Sequence, residues 1–152
     1  MQPFWTEFHG NPHSSEHSIG WSANKATETS RAKVANLLGV DPDEIIFTSG
    51  ATEANNLAIK GLSTPEQRQS QRTTILVSAT EHKCVLESAA YVAQTKGCAV
   101  REIPVNGKGH VDLDKLRDML SEDVLLVSVA LVNNEIGTIQ DLASISGLCR
   151  DM

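Results

Sequence analysis

Three short stretches carry residue types able to hold a small polar ligand. The first is Thr48-Ser49-Gly50-Ala51-Thr52-Glu53. Its small residues let a ligand approach the backbone. A helix starting there offers unpaired N–H groups and the positive end of the helix dipole. With the Ser49 and Thr52 hydroxyls as added donors, this is a phosphate cradle by physics. The GxxxxGK[ST] and GxGxxG patterns are absent, and the competing reading is that Ser49 or Thr52 caps the helix. The second stretch, Ala79-Thr80-Glu81-His82, ends on an imidazole that can stack on a flat ring, shuttle a proton or simply cap the next helix. In the third, Asn133-Asn134-Glu135-Ile136-Gly137, the amides either orient a ligand or pin a turn.

Other candidates are weaker. His9, His13 and His17 are spaced like one helical stripe. However, Gly10-Asn11-Pro12 interrupts any helix there, and a metal centre needs three or four matched ligands. Cys84, Cys98 and Cys149 are an odd, scattered set with no CxxC pair. They read as free thiols in a reducing compartment, each a small buried apolar side chain.

The elements that must position these loops alternate along the chain. Apolar positions from His17 to Leu38 recur every three to four residues, predicting an amphipathic helix stopped by Gly39. Glu44 to Ser49, with Ile45, Ile46 and Phe47 adjacent, predicts a short buried strand after the Asp41-Pro42-Asp43 turn. A helix follows from Gly50 to about Lys60, with Gly61 as its stop. Ser63 to Thr73 reads as an exposed loop. Then come a strand (Thr74 to Ala79), a helix (Lys83 to Lys96, closed by Gly97), a strand (Ala99 to Val105), a helix from Asp112 through Leu120, a strand (Val124 to Val132) and a helix (Asp141 to Arg150). Contiguous apolar strands alternating with helices predict an α/β fold, a mostly parallel sheet covered on both faces. Ligands bind beyond the carboxyl ends of such strands, where all three loops lie. The predicted occupant is a flat, phosphate-bearing cofactor: pyridoxal phosphate, a nucleotide or a flavin.

Composition sets outer bounds. The chain has 152 residues, 40% of them hydrophobic and 21% charged. That is ordinary globular material of one-domain length. The net charge of -6 speaks against nucleic acid or an anionic membrane as partner. The longest apolar run, Val124 to Val132, is strand-sized. It falls well below the run of roughly 20 residues that a membrane span needs. Met1 to Gly10 has neither a basic nor an apolar leader pattern, and together with the thiols this predicts a cytoplasmic location.

The motifs resemble the class V aminotransferase family, and within it the cysteine desulfurases of the NifS and IscS type. The matching strings are Gly10-Asn11-Pro12 with Ser14 and His17, Glu44 to Leu57 (containing TSGATEANN), Glu81-His82-Lys83, Gly109 to Leu113, and Val132 to Gly137 with Gln140. The resemblance covers Gly10 to Arg150. It implies the large domain of the fold-type I pyridoxal-phosphate-dependent transferases. It implies that Ala51 and Thr52 hold the cofactor phosphate, that His82 stacks on the pyridine ring and handles protons, and that Asn134 contacts the phenolic oxygen. It further implies L-cysteine as substrate, a sulfur acceptor such as an iron–sulfur scaffold protein, a homodimer, and iron–sulfur cluster supply as the purpose. A selenocysteine lyase or another class V aminotransferase shares these motifs.

The departures are equally informative. The family binds its cofactor covalently through a lysine in a Ser-x-His-Lys string, which these 152 residues do not contain. The aspartate facing the pyridine nitrogen, the loop cysteine that attacks sulfur, the opening Asp-Tyr-x-Ala-Thr-Thr segment and the small domain have no counterpart. Residues 1–152 are therefore expected to form part of the large domain, inactive alone, binding pyridoxal phosphate at most weakly, or acting as a non-catalytic or split-chain module completed by another chain. The family's strand order, 3-2-4-5-6-7-1, implies a three-stranded sheet here, with Ile45 to Thr48 left outside it.

Overall fold

The central run Thr74-Ile-Leu-Val-Ser78 has no polar side until its ends, so it can only be stable with both faces covered. In the computed structural model, which describes residues 2–64 and 72–151, it is strand β1, Thr74–Ser78, buried along its whole length. Strands β2 (Ala99–Ile103) and β3 (Val124–Ser128) flank it, both parallel, in the order β2-β1-β3. Thr74 faces Ala99 and Ser78 faces Ile103 on one side. On the other side Thr74 faces Val124 and Ile75 faces Leu126, a one-residue shift that leaves Leu125 as a bulge.

The period of two along β1 divides its side chains between two helical layers. Ile75 and Val77 pack with Ile59, Cys84, Val85, Ala89 and Val92 from helices α3 (Ala51–Leu62) and α4 (Lys83–Lys96). Leu76 packs on the opposite face with Ile103, Val111, Leu116, Val124 and Ile145, drawing on α5 (Leu113–Met119) and α6 (Leu142–Arg150). The order expected from the sequence is thus found, with helices on both faces.

The chain divides into two compact units, residues 1–47 and 48–152. The first holds a short helix α1 (Gln2–Thr6) and the long helix α2 (Ser18–Leu38). His17 caps α2, its Nδ1 accepting from Gly20 N at 3.1 Å, and Gly39 ends it with φ +70°.

Five expectations need correction. The strand expected at Glu44 to Ser49 does not form. Pro42–Glu44 is one 3-10 turn, and Ile46 and Phe47 are 67% and 49% exposed. Three adjacent apolar residues become a strand only if a neighbour supplies the ladder, and the three-stranded sheet gives them no place. Gly61 does not stop α3, which continues to Leu62. Ser63 is buried rather than looped out, its hydroxyl donating to Ile59 O at 2.6 Å. Most of that expected loop, residues 65–71, lies outside the described residues. The expected strand Val124 to Val132 ends at Ser128, where β1 runs out of partners. Val132 instead bridges antiparallel to Ile139. Likewise β2 ends at Ile103, and Val105 bridges to Val111.

Candidate functional site

At the carboxyl ends of β1 and β3, residues 79–83 and 133–136 line one open cleft of about 340 Å³. His82, Asn134, Glu81, Lys83 and Asn133 are among its walls. The strand order puts β1 and β3 side by side, so loops far apart in sequence meet at the sheet edge.

Each loop is braced from within unit 48–152. Asn133 Nδ2 donates to Thr80 O at 2.8 Å, joining the two loops directly. Its Oδ1 accepts from Glu135 N at 2.9 Å and Ile136 N at 3.0 Å, fixing the turn. Glu81 does the same from the other side: Oε1 accepts from Ser128 Oγ at 3.1 Å and Oε2 from His82 N at 3.2 Å. Of the two readings the sequence left open for the asparagines, the turn-pinning one is seen at Asn133. Asn133 pins the turn, and Asn134 is exposed on the cleft.

Behind the turn, buried Gln140 grips a second hairpin. Its Nε2 donates to Gly109 O at 2.7 Å and its Oε1 accepts from Val111 N at 3.0 Å, while Thr138 Oγ1 donates to Lys108 O at 2.6 Å. Gly109, at φ +80°, lets the hairpins approach, since a Cβ there would lie 2.6 Å from Ile136 Cδ1. Only a residue without a Cβ takes up that backbone conformation freely.

His82 is the N-cap of α4. Its Nδ1 accepts from Cys84 N at 3.2 Å and lies 3.0 Å from Cys84 Sγ. The capping and ligand readings are compatible, because the cap uses one ring nitrogen and leaves Nε2.

The third loop does not line this cleft. Ala51 and Thr52 open α3 and are exposed. Their N–H groups lie in the first turn, where no intrahelical carbonyl can reach them. Neither Ser49 nor Thr52 caps the helix. Gly50 is the N-cap, and Glu53 reaches back so that its Oε2 accepts from both Ser49 N and Ser49 Oγ at 2.6 Å. Those two bonds, the hydroxyl's first, hold the Glu53 carboxyl below its ordinary pKa, as hydrogen bonds to a charged form do. The same loop therefore already stabilises an anion. α3 packs beside α4 in the apolar layer, and Asn55 Nδ2 donates to Cys84 Sγ at 3.2 Å, tying the second turn of α3 to the start of α4.

These residues suit pyridoxal phosphate on chemical grounds. The cleft is within the size range of small-ligand sites, an imidazole and an amide face it, and hydroxyl and backbone donors stand at a helix start for a phosphate. The sequence reading missed the Asn133–Thr80 link between the loops, the bracing roles of Glu81, Ser128 and Gln140, and the Asn55–Cys84–His82 contact. All depend on partners distant in sequence, and only the Asn133-Asn134 doublet carried any local signal.

Cys84 and Cys98 are buried and Cys149 is partly so. Burial pushes the Cys149 thiol up from its ordinary pKa, because a thiolate is poorly solvated there. The described residues hold no group of three or more His, Cys, Asp or Glu placed to share a metal ion.

Comparison with known proteins agrees with the motif reading. The mitosomal cysteine desulfurase of Trachipleistophora hominis is 46% identical over 151 residues, 99% of this chain and 34% of the relative. The mitochondrial cysteine desulfurase of Candida maltosa is 47% identical over 151 residues, again 99% of this chain and 31% of the relative. A solved structure described as a NifS-like protein superposes with a TM-score of 0.88 at 40% identity, over 99% of this chain and 40% of that one. The chain thus spans about a third of the length of the curated relatives it matches. The expected cytoplasmic location is overturned by these relatives, which are mitosomal and mitochondrial. Free thiols register a reducing milieu, which several compartments share, and the residues that build a sheet carry no address. The class-V aminotransferase family model matches residues 1–152, and with the fold and loops described above the chain belongs to that family.

Proposed function

We propose that this chain supplies cofactor-facing loops of a pyridoxal-phosphate-dependent cysteine desulfurase, which converts L-cysteine to alanine and passes the sulfur as a persulfide to an acceptor such as an iron–sulfur scaffold protein. The observation that carries the reading is the meeting of His82 and Asn134 on one braced cleft at the strand ends. The relatives' names support the substrate.

In this reading the Thr52 hydroxyl and the N–H groups of Ala51 and Thr52 hold the phosphate, and Asn134 donates to the phenolic oxygen. His82 stacks on the ring and holds or moves a proton at Nε2. When bound, the cofactor supplies the electron sink for bond breaking at the substrate's carbons. Within these 152 residues no Ser-x-His-Lys string is present to anchor it, so the chain alone binds it weakly and reversibly and releases no sulfide.

Titration of pyridoxal phosphate into the 152-residue chain, followed by absorbance and tryptophan fluorescence, tests this. Binding should be weakened several-fold by Thr52→Val and by Asn134→Ala, and borohydride should fix no cofactor to the chain. Binding indifferent to both substitutions, or a reducible adduct on a specific lysine, would overturn the assignment.

A second reading, a module completed by another chain, is favoured by β3. Its outer edge has no partner among the described residues, and Leu131, Val132 and Ile139 beyond it are exposed. Unpaired apolar edges recruit other chains. Size-exclusion chromatography should then show association, and a soluble monomer with a cooperative melt would count against it.

A further inference from the structure

We propose that Cys84 and Asn55 are positioning residues that fix His82 as the Nε2–H tautomer. The proposal deepens the reading of His82 as a ring-facing residue and rests on it for its functional meaning, although the geometry stands without a cofactor.

Three contacts meet at the start of α4. Asn55 Nδ2 donates to Cys84 Sγ at 3.2 Å, Cys84 Sγ lies 3.0 Å from His82 Nδ1, and Cys84 N donates to the same Nδ1 at 3.2 Å. A ring nitrogen that accepts the cap hydrogen bond presents a lone pair and carries no proton. The sulfur already accepts from the Asn55 amide, so its own S–H is free to donate to that lone pair. Both donors on Nδ1 place the proton of the neutral imidazole on Nε2, following the rule that one ring nitrogen's partner decides the state of the other. Cys84 is 8% exposed, so water competes poorly for the thiol.

The consequence is directional. Asn55 lies one helical turn beyond Ala51 in α3, given the helical repeat, so the chain Asn55, Cys84, His82 connects the phosphate-loop helix to the cleft. Whatever lies in the cleft meets an N–H donor at Nε2, where the opposite tautomer would offer a bare acceptor. His17 supplies an internal contrast. It also caps a helix through Nδ1, accepting from Gly20 N, but no thiol contact is found there among the described residues.

The test is a long-range proton–nitrogen correlation spectrum of the full chain, labelled with ¹⁵N-histidine, at neutral pH and without cofactor. His82 is identified by loss of its signals in His82→Gln. The expected wild-type pattern is Nε2–H. In Cys84→Ala the Nδ1–H fraction should rise about fivefold, the equilibrium weight of one hydrogen bond of about 1 kcal/mol. Cys84→Ser should restore the wild-type pattern, its hydroxyl replacing the thiol donor. Asn55→Ala, at a half-buried position that spares the core, should move the Nδ1 resonance the same way by less, and decides the matter if Cys84→Ala does not fold. An Nδ1–H ring in the wild type, or an Nδ1 resonance unmoved in the folded variants, would overturn the proposal. Because these samples hold no cofactor, the result is independent of whether pyridoxal phosphate binds.

Discussion

Helices α2 and α4 are closed by the same devices and yet differ in everything that follows. Each begins on a histidine whose Nδ1 accepts a backbone N–H, His17 from Gly20 and His82 from Cys84. Each ends on a glycine in the left-handed region, Gly39 at φ +70° and Gly97 at φ +66°. In its 21 residues α2 buries only Gly20, Ala23 and Ala35, while α4 in 14 residues buries Cys84, Val85, Ser88, Ala89 and Val92. Caps are local and depend on a few adjacent residues. Burial depends on a partner surface, and α4 has the sheet. The comparison also shows why a capping histidine is not in itself a site. His82 differs from His17 in that β1 delivers it to a sheet edge, on one cleft with Asn134, and Cys84 lies against its ring.

The largest test of that contrast is truncation of one apolar side chain in each helix. Val92 is fully buried. Its replacement in Val92→Ala should cost about 2 kcal/mol, the transfer contribution plus the cavity. Leu37 is 83% exposed. Leu37→Ala should stay within about 0.5 kcal/mol. Hydrogen exchange resolved by helix would read each effect locally. Equal costs would mean that the outer face of α2 is covered in solution and that the contrast is wrong.

Where the helices are alike, the response should be alike. Gly39→Ala and Gly97→Ala both force a Cβ into the left-handed region, with no neighbouring atom near either new Cβ. Each should lower stability by about 1 kcal/mol, read as a shift in denaturation midpoint. A clear inequality would show that the chain beyond one glycine, and not the backbone conformation, sets the cost.

This division between local and long-range causes explains what could be read in advance. The span Lys83–Lys96, the stops at Gly39 and Gly97, and the sheet order follow from periodicity, turn chemistry and motif resemblance. For Ile45 to Phe47 the two kinds of reading diverged: the local apolar pattern predicted a strand, while the family's strand order left the segment outside a three-stranded sheet, as found. Their apolar run has strand character, but only a neighbouring ladder makes a strand. Val129 to Val132 fail for the same reason, since β1 is five residues long and cannot pair a longer β3. In the site, His82 and Asn134 were legible because each follows an apolar run. Asn133 to Thr80, Ser128 to Glu81 and Asn55 to Cys84 were not, because each joins residues 29 to 53 positions apart.

The smallest effect concerns a third helix and sharpens the role of the cap's chemistry. α6 is capped by a carboxylate: Asp141 accepts from Ser144 N at 3.1 Å and from Ser144 Oγ at 2.7 Å. Those bonds, the hydroxyl's first, hold its pKa below the ordinary 3.8, by favouring the charged form. Ser121 and then Thr74 do the same for Asp123 at the mouth of β1 and β3. A carboxyl depressed in the folded state contributes stability that is fully present above its unfolded pKa and is lost as pH falls through the folded value. The window therefore opens near 3.8 and extends downward, and neutral conditions lie outside it. Both groups are fully exposed, so solvent and salt screen the effect and it should be slight. As pH falls through that window, protection of α6 amides should drop earlier in wild type than in Asp141→Asn, which keeps an acceptor oxygen but carries no titrating charge. If acid dependence at α6 is unchanged in Asp141→Asn, the loss comes from elsewhere in the unit, and the Thr74–Asp123 contact at the start of β1 becomes the next group to replace.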